Sequence, residues 1–183
     1  MSRKSAPSIA LLNNFESERL EFRPWLESDA EAFFSLTQDE GFTKFRIANY
    51  QQKDVESARA WVQNNLQLHR EKSLGKFGVW RKSDHQLIGM SGLTPYEIEG
   101  EWVVDLTYRL RASAWGQGFG SEMARATARH GFETLGLKEI TATITPDNQP
   151  SKKIAEKLGF KFDRRIVLMG VDTDLFRLPR LNH

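Results

Sequence analysis

The 183-residue chain predicts one domain of the α+β or mixed α/β class, and three observations carry that expectation. The length suits a single core, and 39% hydrophobic with 11% aromatic residues describes a globular fold rather than disorder. Stretches with strand alternation and stretches with helical spacing interleave from residue 18 to the end. No internal repeat, low-complexity tract or linker divides the chain.

Residues 1–14 are polar and predict a loose tail, which puts the domain at 15–183. "ERLEFRPW" (Glu18 to Trp25) alternates Leu20 and Phe22 and stops at Pro24, as a strand does. "SDAE" (Ser28 to Glu31) has capping-box spacing, and Ala32, Phe33 and Leu36 continue on a helical face. A second helix is expected from near Asp54, with Val55, Ala58, Trp61, Val62 and Leu66. Phe77 to Leu93 reads as a hairpin turning at Ser83-Asp84, and "WVVDLTYRL" (Trp102 to Leu110) as a strand. A helix from about Ser121 to Leu135 stops at Gly136. "EITATI" (Glu139 to Ile144) alternates as a strand. "NQPSKKIAEKLGF" (Asn148 to Phe160) has an Asn cap region, Pro in the first turn and Gly159 at the end of a short helix. "FKFDRRIVLM" and "VDTDLFRL" close the chain as two more strands.

The formal net charge of +2 gives no reason to expect a nucleic-acid or membrane partner. Without cysteine there is no disulfide framework and no thiol nucleophile, which suits a reducing cytoplasm. The apolar run Ile9 to Leu12 is too short for a signal core or a membrane span. Four scattered histidines lack ligand spacing, so no metal is expected.

"SAWGQGFGSEM" (Ser113 to Met123) is the most informative stretch. Gly116, Gly118 and Gly120 alternate between an expected strand and an expected helix. Glycine permits close backbone approach, and a helix start presents unpaired N–H groups with a partial positive charge, so the stretch reads as a phosphate seat. A plain strand-to-helix turn is the bland alternative. A Walker loop would need Lys-Ser/Thr after the last glycine, where Ser121-Glu122 stands. A dinucleotide loop would need its third glycine at Ser121. What survives is a loop whose successive backbone N–H groups wrap a pyrophosphate without lysine or metal.

That loop resembles the acyl-coenzyme A loop of the GNAT acetyltransferases. Trp115-Gly116-Gln117-Gly118-Phe119-Gly120 is similar to the variant found in the RimJ/RimL-like branch. "ERLEFRPWLESDAEAFF" resembles that branch's opening strand and helix, and "NQPSKKIAEKLGF" its late N-x-x-S segment ending in K-L-G-F. The three blocks occur in family order and span nearly everything after residue 14. Trp115 stands where relatives often carry Gln or Arg, and Asp105 where they often carry Glu.

The resemblance implies a central mixed, mostly antiparallel, twisted sheet flanked by helices. It also implies a cytoplasmic N-acetyltransferase that moves acetyl from acetyl-CoA to a primary amine in a ternary complex. The acceptor would be a protein N-terminus, such as a ribosomal one, or a small amine, and the protein a monomer or homodimer. Backbone amides of Trp115, Gly116, Gln117, Gly118, Phe119, Gly120 and Ser121 would hold the pyrophosphate, with Lys153 or Arg111 adding charge. Tyr108, Arg109 and Leu110 would pair the pantetheine arm through their backbone, joined by Asn148. Asp105 would take the amine's proton, with Glu97, Glu99 or Glu101 as alternatives or as an attraction for a cationic acceptor, and Ser151 would protonate the leaving thiolate. Each has a structural alternative: a helix cap for Asn148, a first-turn serine for Ser151, an ion pair for Asp105, a solvated lysine for Lys153. Trp25, Phe42, Phe45 and Tyr50 would line the acceptor side or simply pack. A different class, an acyl-CoA-binding sensor without turnover, stays open.

Overall fold

The computed structural model describes residues 14–45 and 50–180, so most of the expected tail, residues 1–13, lies outside the described residues. Eight strands form one sheet: β1 (Phe15–Glu16), β2 (Leu20–Pro24), β3 (Gly75–Arg81), β4 (Gln86–Ile98), β5 (Glu101–Leu110), β6 (Glu139–Ile144), β7 (Lys161–Leu168) and β8 (Val171–Pro179). Their spatial order is β1-β2-β3-β4-β5-β6-β8-β7. Every neighbouring pair is antiparallel except β5 and β6. The helices are α1 (Ala30–Thr37), α2 (Glu40–Thr43), α3 (Val55–Lys72), α4 (Phe119–Glu133) and α5 (Gln149–Leu158). The expected mixed, mostly antiparallel sheet flanked by helices is thus found.

Strand alternation divides the sheet's side chains between two layers. On one face Trp25, Phe33, Leu36, Phe42, Ala58, Val62 and Met90 pack beneath α1, α2 and α3. On the other, Leu93, Leu106, Ala124, Ala128, Ile140 and Ala155 pack beneath α4 and α5. Trp25, Phe33 and Leu36 are fully buried, and each such side chain contributes roughly 1.5–3 kcal/mol. Trp25 and Phe42 are therefore core residues rather than acceptor lining.

Several local expectations need correction. The Ser28 capping box does not form. A 3-10 turn over Glu27–Asp29 precedes α1, and the Asp29 carboxylate accepts from the Leu26 amide at 2.7 Å and from Arg23 at 2.9 and 3.1 Å. β4 runs on to Ile98, well past Leu93. β3 ends opposite Leu93, so beyond it β4 has a free edge, where Pro95 is tolerated. Glu99 and Gly100, both at positive φ, make the turn into β5. The short helix α2 was not anticipated. Asp39 caps it by accepting from Gly41 N at 2.9 Å, and also accepts from Ala112 N at 2.8 Å, which pins α2 to the end of β5. α4 starts two residues earlier than expected, with Gly118 as its cap at φ 80°.

A buried aromatic group ties the N-terminal strand to α4. The His130 ring stacks on Phe15 at 4.4 Å, and Phe15 stacks on Phe22 at 4.4 Å. Burial, and secondarily the nearby His69, hold the His130 imidazole down at about 4. Its proton affinity is thus lower folded than unfolded, so the unfolded state binds more protons between about pH 6.5 and 4. Stability contributed by neutral His130 is full above that window and is lost as pH falls through it. His130→Phe should keep the stacking and remove the proton. Thermal melts at pH 7 and pH 4.5 should show a smaller acid-induced drop for the variant, and equal drops would contradict this account.

Candidate active site

β5 and β6 share one ladder rung, Asp105 opposite Thr141, and then part. A cavity of about 610 Å³ fills the opening. It runs from the glycine loop, past Tyr108 and Ser151, to Asp105 and Tyr96. Because β5 alternates, Leu106, Tyr108 and Leu110 face α4 and α5, whereas Asp105 and Arg109 face the layer of α1 to α3. The opening therefore joins the two faces of the sheet.

At the loop end, Gly116 and Gly118 adopt φ of 73° and 80°, which only glycine takes easily. The turn delivers the chain into the first turn of α4, where three amides lack helical partners. A Cβ at Gly120 would sit 3.2 Å from Ile154 on α5, so that glycine lets α5 approach. Trp115, Gly116, Gly118, Phe119, Gly120 and Ser121 all line the cavity. Gln117 does not. Its side chain turns back to donate to Ser113 O at 2.9 Å, and its carbonyl accepts from Arg19 at 3.0 Å. Arg19, overlooked in the sequence, lies over the Phe119 ring and pairs with Glu122 at 2.7 Å, bracing the loop.

Lys153 also misses the cavity. It lies two residues beyond Ser151, some 200° around α5, and is exposed. Lys152 is turned to the buried Asp174 at 2.7 Å, and Arg111 is held by Leu87 O and Ser35. The basic residue on the cavity wall near the loop is Lys44, whose ammonium lies 5.4 Å from the Trp115 ring.

In the middle of the cavity, Asn148 caps α5 by accepting from Ser151 N at 3.2 Å, which fixes the first turn. The Tyr108 hydroxyl donates to Ser151 Oγ at 3.1 Å, leaving the serine's own proton free to point elsewhere. Burial raises the Tyr108 phenol to about 12, so it stays a donor at neutral pH. The sequence pointed to Tyr108 for its backbone. Its side-chain contact, 43 residues away, could not be read there.

At the far end, Asp105 is 3% exposed and is the one acid on the cavity wall among the described residues. Its oxygens accept from Thr141 at 3.1 Å and Thr143 at 2.9 Å. Burial drives its carboxyl up to about 7, with the two threonines and Lys76 pulling the other way. Phe45, Tyr50 and Tyr96 stand nearby on the wall. Burial pushes the Tyr50 phenol up, but Lys76, Arg109 and the Tyr96 hydroxyl outweigh it and hold it below its ordinary value, whereas burial and Tyr50 raise Tyr96. Arg109 donates to the carbonyls of Phe42 and Phe45, clamping the end of α2 over this chamber.

The upstream glutamates do not join the site. Glu99 pairs with Arg164 at 3.1 Å and Glu101 with Arg177 at 2.7 Å, and no glutamate lines the cavity. Among the described residues no group of three or more His, Cys, Asp or Glu gathers as a metal site, and no helix is long and apolar enough to cross a membrane.

Known proteins share the domain and the fold. Residues 19–161 match the acetyltransferase (GNAT) domain. The chain is 28% identical over 146 residues to the Bacillus subtilis (strain 168) protein named uncharacterized N-acetyltransferase YoaA, covering 80% of this chain and 81% of that one. It is 30% identical over 146 residues to N-acetyltransferase p20 of Bacillus licheniformis, covering 79% and 80%. Among solved structures it is similar to RimL, a ribosomal L7/L12 alpha-N-protein acetyltransferase in complex with coenzyme A, with TM-score 0.78 and 20% identity over 91% of this chain and 98% of that one. A domain match across most of the chain, with a relative 30% identical over 79% of it, makes this protein a member of the GNAT N-acetyltransferase family.

Proposed function

We propose that this protein transfers acetyl from acetyl-CoA directly to the α-amino group of a peptide or small molecule, with both substrates bound at once. One observation carries the reading: a single opening between β5 and β6 joins a buried carboxylate on one face to a hydroxyl pair on the other. The coenzyme's diphosphate takes the glycine loop and the start of α4, which offer backbone donors and a partial positive charge. Its arm runs along the exposed edge of β5 at Tyr108 to Leu110. The amine enters from the face of Asp105.

The amine's lone pair forms the new N–C bond to the thioester carbonyl carbon. The proton lost by nitrogen goes to Asp105, directly or through water. The C–S bond breaks, the departing sulfur takes the free proton of Ser151, Tyr108 passes its proton along the hydrogen bond to Ser151, and exchange with solvent as the products leave returns a proton to Tyr108 and removes the one on Asp105. A carboxyl near 7 is well matched to an α-ammonium, near 7.7–8.0, and badly matched to a lysine-type ammonium near 10.4. That match supports an α-amine acceptor. The RimL neighbour is named for such a reaction on a ribosomal protein, and an N-terminal serine or alanine peptide is a sensible first acceptor.

Acetyl-CoA should raise the melting temperature of the wild-type protein, by mass action on the folded state. Gly118→Val should remove that rise, because a β-branched residue does not adopt φ 80° readily and the loop must rearrange. An undiminished rise in a folded Gly118→Val protein would move the diphosphate elsewhere.

Ser151→Ala should lower turnover about 10²-fold, the low end for a lost proton donor, while coenzyme affinity holds. Tyr108→Phe should cost less, and the double variant no more than Ser151→Ala alone, since the two act as one unit. Additive losses would separate them.

Asp105→Asn should abolish the acidic limb of the kcat/KM profile and lower its plateau. The same change should stabilise the fold above neutral pH. A buried acid whose folded value is raised from 3.8 to about 7 contributes stability that is lost as pH rises through that window. Melts at pH 5 and pH 8.5 test this: wild type should lose more than the variant on going alkaline. A wild-type rate profile in Asp105→Asn would remove Asp105 from the chemistry.

A further inference from the structure

A line of polar side chains crosses the sheet beneath the acceptor chamber, and its first member has no part in the chemistry so far. Lys76 on β3 is 5% exposed, and its Nζ donates to Thr94 Oγ1 on β4 at 2.6 Å. Thr94 stands directly opposite Asp105 on β5, and Asp105 opposite Thr141 on β6. Lys76 pairs with Gly92 and reaches Thr94 diagonally, so four adjacent strands bring lysine, threonine, aspartate and threonine side by side.

A buried ammonium is costly unless an opposite charge answers it. Among the described residues Lys76 forms no direct ion pair; besides Thr94, its ammonium lies 5.4 Å from the Tyr50 ring centroid. Two acids feel its field, the Tyr50 phenol, which it also hydrogen-bonds, and Asp105. The other groups facing Asp105 are the Thr141 and Thr143 hydroxyls from β6, Tyr96 from β4, Arg109 from β5 and, through Tyr96, Tyr50 from the segment before α3. Arg109 is committed to the carbonyls at the end of α2. Lys76 is the cation bound to Thr94, the cross-strand neighbour of Asp105.

We propose that Lys76 is a positioning residue for acetyl transfer: its ammonium, held by Thr94 on the strand next to Asp105, supports the negative charge of that carboxylate so that it can take the amine's proton. This rests on the reading of Asp105 as the proton acceptor. The separation matters physically. Direct contact would occupy a carboxylate oxygen and hold it ionised too firmly to accept a proton. With no cation, burial would keep the acid protonated at neutral pH. A charge at one remove supplies the field and leaves the oxygens to Thr141, Thr143 and the substrate.

The test is Lys76→Met, with Lys76→Arg and Thr94→Val as companions. Removing one buried charge and leaving its partner can destabilise a fold, and Thr94→Val serves if Lys76→Met does not fold. Two readouts are taken: the carboxyl titration of Asp105 by carbon NMR in the coenzyme-free protein, and the kcat/KM profile against pH with acetyl-CoA and a serine-terminated peptide. Lys76→Met should move both midpoints upward by about one to two pH units, with the KM for acetyl-CoA unchanged. Lys76→Arg should restore most of the difference, and Thr94→Val should give a smaller shift in the same direction. An unmoved Asp105 titration in Lys76→Met overturns the inference whatever the rates do. A moved titration with an unmoved rate profile overturns it too. If Asp105→Asn then retains the wild-type profile, the fault lies in the reading of Asp105 as the base.

Discussion

The site depends on one constraint, that β5 and β6 are parallel neighbours joined at a single rung. Parallel strands can be joined only by a crossover, and here the crossover is α4, entered through the glycine loop. The loop, the start of α4 and the mouth of the opening are therefore neighbours by topology. Had the two strands stayed paired to their ends, Tyr108 and Ser151 would lie on one side of a closed sheet and Asp105 on the other. The divergence makes a two-sided opening out of an ordinary layer.

Asp105 lies in that opening under opposed influences. It is buried among apolar rows, which opposes ionisation, and it is given two hydroxyl donors and a distant ammonium, which favour it. Neither influence wins outright, and the carboxyl is left near neutrality. The residues that strike this balance, Lys76, Thr141 and Thr143, are unremarkable in sequence. Each is assigned its role by strand register, since shifting any of these strands by one position would turn the side chain to the opposite face.

This explains what could be read from the sequence and what could not. The glycine loop, the Asn148 cap with Pro150 and Gly159, and the apolar stripes of α3 and α4 are local patterns, and they appear in the structure where the spacing put them. Pro95 hid the far half of β4, because proline argues against a strand unless one edge is known to be free. The Tyr108–Ser151 hydrogen bond and the pairing of Glu99 with Arg164 join residues 43 and 65 positions apart, beyond any periodicity. Glu99 and Glu101 looked like an attraction for cations only because their arginine partners lie far along the chain.

The single rung between β5 and β6 has a mechanical consequence as well. The β1–β5 body and the β6–β8–β7 unit share little backbone hydrogen bonding, so much of what joins them is side chain: the threonine donors on Asp105, the Tyr108–Ser151 bond, and the packing of α4 and α5. Sub-global opening follows such weak seams. The amides of β6 and of the start of α5 should exchange with solvent deuterium sooner than those of β3 and β4, and a coenzyme lying in the seam, in contact with both units, should slow that exchange as mortar would between two courses of stone.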